Sequence, residues 1–146
     1  MSRNCHKSAY HGVILMDAKV SYIYPQIIED MGIQGGILPE DVENSLDRYP
    51  DTEAVLIVSP TYDGIVSDIK TIAEITHSHN IPLIVDEAHG AHLGFHPYFP
   101  QNANARGADI VIHSTSKYLD GHATALGGVI VDGGSFDWAA SGKYPW

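Results

Sequence analysis

The sequence predicts an α/β protein built on a doubly wound, mostly parallel sheet. Continuous apolar runs, typical of strands buried on both faces, alternate along the chain with segments of helical periodicity. Strands that alternate with helices favour parallel pairing through right-handed crossovers. Ligands of such sheets bind beyond the carboxyl ends of the strands, so polar residues at those ends are the first candidates for a site.

The elements are predicted from local signals, taken in chain order. A helix over residues 6–16 leads to an alternating, strand-like segment. Proline and acids in the first turn favour a helix that starts at Pro39, and Ser67 or Asp68 is placed to cap the next one. The strand-like segments are residues 20–24, 54–58, 82–86, 108–112 and 129–131. No linker or repeat divides them, so residues 1–146 are interpreted as one domain.

Composition narrows the classes of function. The chain has 8 basic and 18 acidic residues, and the formal net charge of −10 argues against a nucleic-acid backbone as ligand. Its one cysteine, Cys5, excludes an internal disulfide and fits a reducing compartment. The first residues form no apolar leader and no apolar run reaches membrane-spanning length, so a cytoplasmic location is expected.

Two charged residues stand where the fold predicts a ligand. Asp86 ends one apolar strand, and Lys117 lies just past the next. This pattern is typical of enzymes that bind pyridoxal phosphate, in which the lysine forms a Schiff base and the aspartate pairs with the protonated ring nitrogen. The hydroxyls that precede Lys117 could donate to a phosphate. Read singly, Lys117 could also be an exposed loop lysine, and Asp86 could bind a metal or cap a helix.

The segment after Asp86 is also compatible with two other interpretations. His89, His92 and His96 are residue types that bind zinc or iron, but the intervening glycines disfavour a regular helical face, and no metal is expected. The DEAH tetrapeptide of residues 86–89 also occurs in helicase ATPases. Those enzymes need a phosphate loop of the form GxxxxGK[ST], which this sequence does not contain.

Residues 2–107 resemble the major domain of the ornithine/lysine/arginine decarboxylases, which are fold-type-I pyridoxal-phosphate enzymes. The resemblance implies that His6 stacks on the pyridine ring, that Asp86 pairs with the ring nitrogen and that His89 lies near the ring hydroxyl. The stretches that carry it are residues 3–8, 59–64 and 86–96.

Residues 107–146 resemble a second group, the Cys/Met-metabolism family and in particular its O-acetylhomoserine sulfhydrylases. The matching lysine of that family carries the cofactor, which implies a Schiff base on Lys117 with Ser114 and Ser116 holding the phosphate. The decarboxylases usually have histidine where this chain has Ser116. The stretches that carry the second resemblance are residues 114–118, 121–122, 127–132 and 136–138.

Together the resemblances imply an incomplete large domain of the aspartate-aminotransferase-like fold. The expected phosphate-binding loop upstream and small C-terminal domain are not in the sequence. We therefore expect a fragment of a lyase that decarboxylates ornithine, lysine or arginine, catalysing little alone. The alternatives are γ-replacement on O-acetylhomoserine and an inactive fold remnant. The full-length parent is expected to be a homo-oligomer that acts on a small amino acid, without nucleic-acid or membrane partners.

Overall fold

A computed structural model describes residues 1–142 and 144. Its helices are α1 (Lys7–Leu15), α2 (Pro39–Arg48) and α3 (Ile69–Ser78). Its strands are β1 (Ile27–Ile28), β2 (Ile33–Gln34), β3 (Val55–Val58), β4 (Leu83–Asp86), β5 (Ile110–Ser114) and β6 (Gly128–Asp132). Within this part of the chain, no helix is long and apolar enough to cross a membrane.

A four-stranded sheet organises the molecule, with its strands in the order β3-β4-β5-β6. The strands β3, β4 and β5 pair in parallel, and β6 pairs antiparallel with β5. The prediction of a mostly parallel α/β sheet is therefore confirmed. Strands β1 and β2 form a separate small antiparallel pair.

The core lies where the sheet meets helices α2 and α3. The neighbouring strands β3 and β4 bury apolar side chains, and α3 turns Ile69, Ile72 and Ala73 inward at the spacing of one helical face. Asp68 caps α3, because its carboxylate accepts hydrogen bonds from the Thr71 amide and hydroxyl. This helix therefore begins where the sequence predicts.

The strand predicted over residues 20–24 is not formed. Only Ile23 bridges, to Ser2, and the adjoining tyrosines at 22 and 24 are exposed. The alternation in this segment reflects one buried side chain between exposed ones. Among the described residues, the backbone of this segment bonds to the chain start, which runs on into α1 after a few residues, so the ladder does not extend.

Strand β6 runs antiparallel to β5, whereas in a purely parallel sheet the two strands would run in the same direction. Parallel neighbours are joined by a crossover, usually a helix packed on the sheet, whereas the only helical element in the connection of residues 115–127 is the short π-helical turn Thr115–Leu119. The chain then folds back, and the Thr115 amide donates to the Gly127 carbonyl at 3.0 Å. The connection thus brings Gly127 and Gly128 back beside the end of β5.

The chain start packs beside β3. The Ser2 amide donates to the Leu56 carbonyl at 2.8 Å, and the Val58 amide donates to the buried Ser2 hydroxyl at 3.2 Å. These bonds fix the start of the chain against the carboxyl half of β3. His6, four residues on, is thereby placed at the edge of the sheet where β4 and β5 also end.

Candidate functional site

The site is built on the carboxyl ends of β4 and β5. Asp86 is the last residue of β4 and pairs with Ile112, so β5 continues two residues further and ends at Ser114. Lys117 lies in the π-helical turn that follows, with a non-helical backbone (φ −107°, ψ −119°). Because neighbouring parallel strands end at one edge, the segments after β4 and β5 meet there.

Lys117 and His89 are in direct contact. The Lys117 Nζ atom lies 3.0 Å from His89 Nε2, which joins the two segments that the sequence singled out. Burial lowers the pKa of His89, and the nearby positive charges of Lys117 and His6 lower it further, against an opposing effect of Asp86. A neutral His89 can accept a hydrogen bond from the lysine amine at Nε2.

Asp86 and His6 belong to the same cluster, since both act electrostatically on His89. The Asp86 carboxylate accepts a hydrogen bond from the Ala88 amide at 3.1 Å, which fixes one of its oxygens. His6 is exposed and caps α1 through Nδ1, which lies 3.3 Å from the Ser8 amide and 2.8 Å from the Ser8 hydroxyl.

The two serines predicted to bind the phosphate differ in the hydrogen bonds of their hydroxyls. The Ser116 hydroxyl accepts from the Gly127 amide at 2.9 Å and donates to the Gly127 carbonyl at 3.4 Å. Ser114 ends β5 opposite Gly128, and within the described residues its hydroxyl makes no hydrogen bond. A Cβ at Gly127 would lie 2.5 Å from the Thr115 hydroxyl oxygen, so a larger residue there would displace the Thr115 side chain.

The structure adds Tyr62, which the sequence analysis did not select. Its ring packs edge-on against His89 with the centroids 5.4 Å apart, although most of the side chain is exposed. Tyr62 follows β3, the strand next to β4. A signal for it was present: the same strand-end rule that selects Asp86 also applies to the loop after β3.

Glu87 is a second addition. Its side chain is only 1% exposed, and burial raises its pKa to about 7, opposed by a hydrogen bond from the Ala103 amide. Successive side chains along a strand point to opposite faces, so Glu87, which follows Asp86, points to the core and not to the site. Sequence alone could not identify its partners, because they come from β5 and from a distant loop.

The neighbouring histidines take part in aromatic packing. His92 contacts Phe99 and Tyr118 edge-on, and His96 stacks on Tyr98 with centroids 5.0 Å apart. Across residues 1–142 and 144 no group of histidine, cysteine and carboxylate side chains is placed to hold a metal ion.

A separate groove of about 1000 Å³ lies between residues 19–24 and the end of α2. Its lining includes Lys19 and Arg48 but none of the residues predicted for the site. The candidate site thus lies at the edge of the sheet, apart from this groove.

The chain belongs to the Orn/Lys/Arg decarboxylase family, whose major domain matches residues 1–127. Over 115 residues it is 40% identical to an arginine decarboxylase of Bacillus subtilis, an alignment that covers 79% of this chain and 24% of that protein. Over 122 residues it is 38% identical to a sulfhydrylase of Gibberella moniliformis, covering 82% of this chain and 26% of the relative. The chain therefore spans about a quarter of these relatives.

The fold is shared with mouse CSAD, at a TM-score of 0.71 and 20% identity, over 92% of this chain and 28% of that one. Both resemblances found in the sequence, to decarboxylases and to sulfhydrylases, are thus confirmed by relatives. The roles of the individual site residues stay predictions.

Proposed function

We propose that the cluster around Lys117 binds pyridoxal phosphate. The observation that carries the proposal is the 3.0 Å contact between Lys117 Nζ and His89 Nε2, beside Asp86 at the end of β4. The donor set suits the cofactor: a primary amine for its aldehyde, a carboxylate for its ring nitrogen and imidazoles for its face and hydroxyl. The family to which the chain belongs supports the same assignment.

In this proposal Lys117 holds the cofactor covalently, Asp86 pairs with the ring nitrogen, His6 covers the ring and His89 lies at the ring hydroxyl. Ser114 supplies a hydroxyl to the phosphate. Ser116 can do so only by exchanging its bonds to Gly127. When bound, pyridoxal phosphate supplies an electron sink that stabilises negative charge at the substrate's α-carbon.

The chain's own residues position the amine. A neutral hydrogen-bond acceptor beside Lys117 Nζ holds the amine at the site. His89 is such an acceptor, because burial and nearby positive charge lower its pKa. The Asp86 carboxylate, fixed by the Ala88 amide, is ready to receive a protonated ring nitrogen without rearrangement.

For the complete protein we propose decarboxylation of a basic amino acid. This rests on the family match over residues 1–127 and on the 40% identity to an arginine decarboxylase. We propose a cytoplasmic, homo-oligomeric parent protein for the same reason. The second candidate is a sulfhydrylase-type replacement, favoured by the 38% identity to the sulfhydrylase and by serine at position 116.

Cofactor binding is tested by equilibrium dialysis of pyridoxal phosphate against the wild type and Lys117→Ala. We expect saturable binding of one equivalent by the wild type, weakened ~100-fold or more by the substitution, because the covalent bond and the His89 contact are both lost. Lys70→Ala, an exposed lysine on α3, is the matched control and should bind as the wild type does. Equal binding by the Lys117 and Lys70 variants would refute the assignment.

The two reactions are separated with substrates. Release of carbon dioxide from carboxyl-labelled arginine, lysine or ornithine indicates decarboxylation. Formation of homocysteine from O-acetylhomoserine and sulfide indicates replacement. A chain that binds the cofactor but performs neither reaction would be the inactive remnant.

A further inference from the structure

Two polar side chains beneath the site, the buried Glu87 and the half-buried His113, face each other without completing a hydrogen bond. Glu87 Oε2 lies 3.7 Å from His113 Nε2, beyond hydrogen-bond distance. Glu87 Oε2 and His113 Nδ1 have no hydrogen-bond partner among the described residues. Glu87 lies in the turn after β4, and His113 is the residue of β5 that precedes Ser114.

The backbone closes tightly around the Glu87 side chain. Its Oε1 accepts from the Ala103 amide at 2.9 Å, and its own amide donates to the Ile112 carbonyl at 2.8 Å. The Gly90 amide donates to the Glu87 carbonyl at 2.8 Å, and a Cβ on Gly90 would lie 2.4 Å from Glu87 Cγ. The turn of residues 86–90, which carries Asp86 and His89, is therefore folded over this one side chain.

We propose that Glu87 is a positioning residue that shares one proton with His113 and thereby holds the turn of residues 86–90 against β5. A proton between Glu87 Oε2 and His113 Nε2 gives the buried, unsatisfied Glu87 Oε2 a hydrogen-bond partner. Closing the 3.7 Å gap to an ordinary hydrogen bond takes a movement of only ~0.8 Å. The bond fixes where His89 stands relative to Lys117.

The groups around Glu87 leave His113 as the natural partner. His113 is the titratable side chain that approaches from β5, and the chain near 103 contributes only a backbone amide. Pro60, which packs on Gly90 from the loop after β3, is uncharged. Asp86 and His89, on the turn itself, are the remaining titratable neighbours. No described lysine or arginine pairs with Glu87, so a lost proton would leave a buried carboxylate without a cation.

The inference deepens the proposed function, since its consequence is the placement of His89 and Asp86. Its direct test needs no cofactor. In ¹³C,¹⁵N-labelled protein, NMR follows Glu87 Cδ and the His113 ring nitrogens against pH. We expect Glu87 to titrate near neutral pH, with the His113 nitrogens shifting in the same step. Titration of Glu87 near its usual value, or a His113 ring that ignores the Glu87 step, would overturn the shared proton.

Positioning is tested with two substitutions of similar size. Glu87→Gln stays neutral at every pH, still accepts from the Ala103 amide and can donate to His113. Glu87→Leu keeps the volume but loses both bonds. The control is Glu74→Gln, on the exposed side of α3. The readouts are the His89 ring ¹⁵N shifts without cofactor and the dissociation constant for pyridoxal phosphate from pH 6 to 9.

At pH 6 we expect Glu87→Gln to bind pyridoxal phosphate with a dissociation constant within ~2-fold of the wild type's. Binding by the wild type should weaken at higher pH, whereas binding by Glu87→Gln should not. Glu87→Leu should bind ~10-fold more weakly throughout, the effect of about one hydrogen bond, with displaced His89 shifts. If both variants show the wild-type pH profile and His89 shifts, Glu87 positions nothing. The His89 chemical shifts are measured without cofactor, so they test the positioning role even if pyridoxal phosphate does not bind. Failure of the positioning role and failure of the proposed function therefore give different results.

Discussion

At the residue scale, the site depends on a few side chains that each occupy the end of a strand. Asp86, His89 and Lys117 could be predicted because the sequence shows both apolar strands and the polar residues that follow them. Tyr62 and the Glu87–His113 pair could not be predicted as partners. Their contacts depend on the register of β4 against β5 and on loop paths, which local patterns do not encode.

Glu87 also leads to a prediction about stability. Its pKa is about 7 in the folded protein against a usual value of 4.5, so the folded state binds the extra proton between these two values. The free energy of unfolding contributed by this residue therefore falls as pH rises from 4.5 to about 7, by roughly 3 kcal/mol, and stays reduced above that. A glutamine at position 87 has no proton to lose in this pH range, so the free energy of unfolding of Glu87→Gln should not fall in this way.

Urea unfolding of the wild type and Glu87→Gln near pH 4 and near pH 8 measures this effect. We expect the variant to gain stability relative to the wild type between the two conditions, by up to about 3 kcal/mol. Glu74→Gln removes an exposed carboxylate and should show little difference. An advantage of Glu87→Gln that is the same at both pH values would contradict the raised pKa.

At the element scale, the buried carboxylate of Asp109 links the start of β5 to its neighbours. Its Oδ2 accepts from the Leu83 amide of β4 at 2.8 Å and lies 2.9 Å from His77 Nε2 of α3. Its Oδ1 accepts from the Ser135 hydroxyl, beyond β6, at 2.8 Å. One side chain thus ties α3, β4 and the segment after β6 to the sheet, at the end opposite the site.

Removing the Asp109 carboxylate should destabilise the protein more than removing any one of its hydrogen-bond partners. Asp109→Ala leaves the buried Leu83 amide and the Ser135 hydroxyl without an acceptor, at a cost of about 3 kcal/mol or more. Ser135→Ala removes one bond, at about 1 kcal/mol. Chemical denaturation compares the two, and similar losses for both variants would show that Asp109 does not join these elements.

The helices and the strands β3 and β4 were largely predictable, and the exceptions are instructive. Helices α2 and α3 start where their capping signals stand, and β3 and β4 follow their apolar runs to within one residue. Residues 20–24 alternate like a strand but lack a partner along their length. The direction of β6 depends on the length and path of its connection from β5, which apolar patterning does not reveal.

At the scale of the whole molecule, the order of the strands explains why the candidate site residues meet at one edge of the sheet. Sequential parallel strands β3, β4 and β5 deliver Tyr62, Asp86 and Lys117 to the same side, and the chain start adds His6. The fold class was predictable because periodicity and the alternation of elements are global properties of the sequence. From this arrangement we infer that the edge selects Lys117 among the lysines of the chain.

That claim is tested by incubating the protein with pyridoxal phosphate, reducing with borohydride and mapping the labelled peptides by mass spectrometry. The chain offers an internal comparison, since Lys7, Lys19 and Lys70 are exposed amines outside the Lys117–His89 contact. We expect close to one label per chain, on Lys117, and its disappearance in Lys117→Ala. Labelling scattered over several lysines, or none at all, would contradict a pyridoxal-phosphate site at the end of β5.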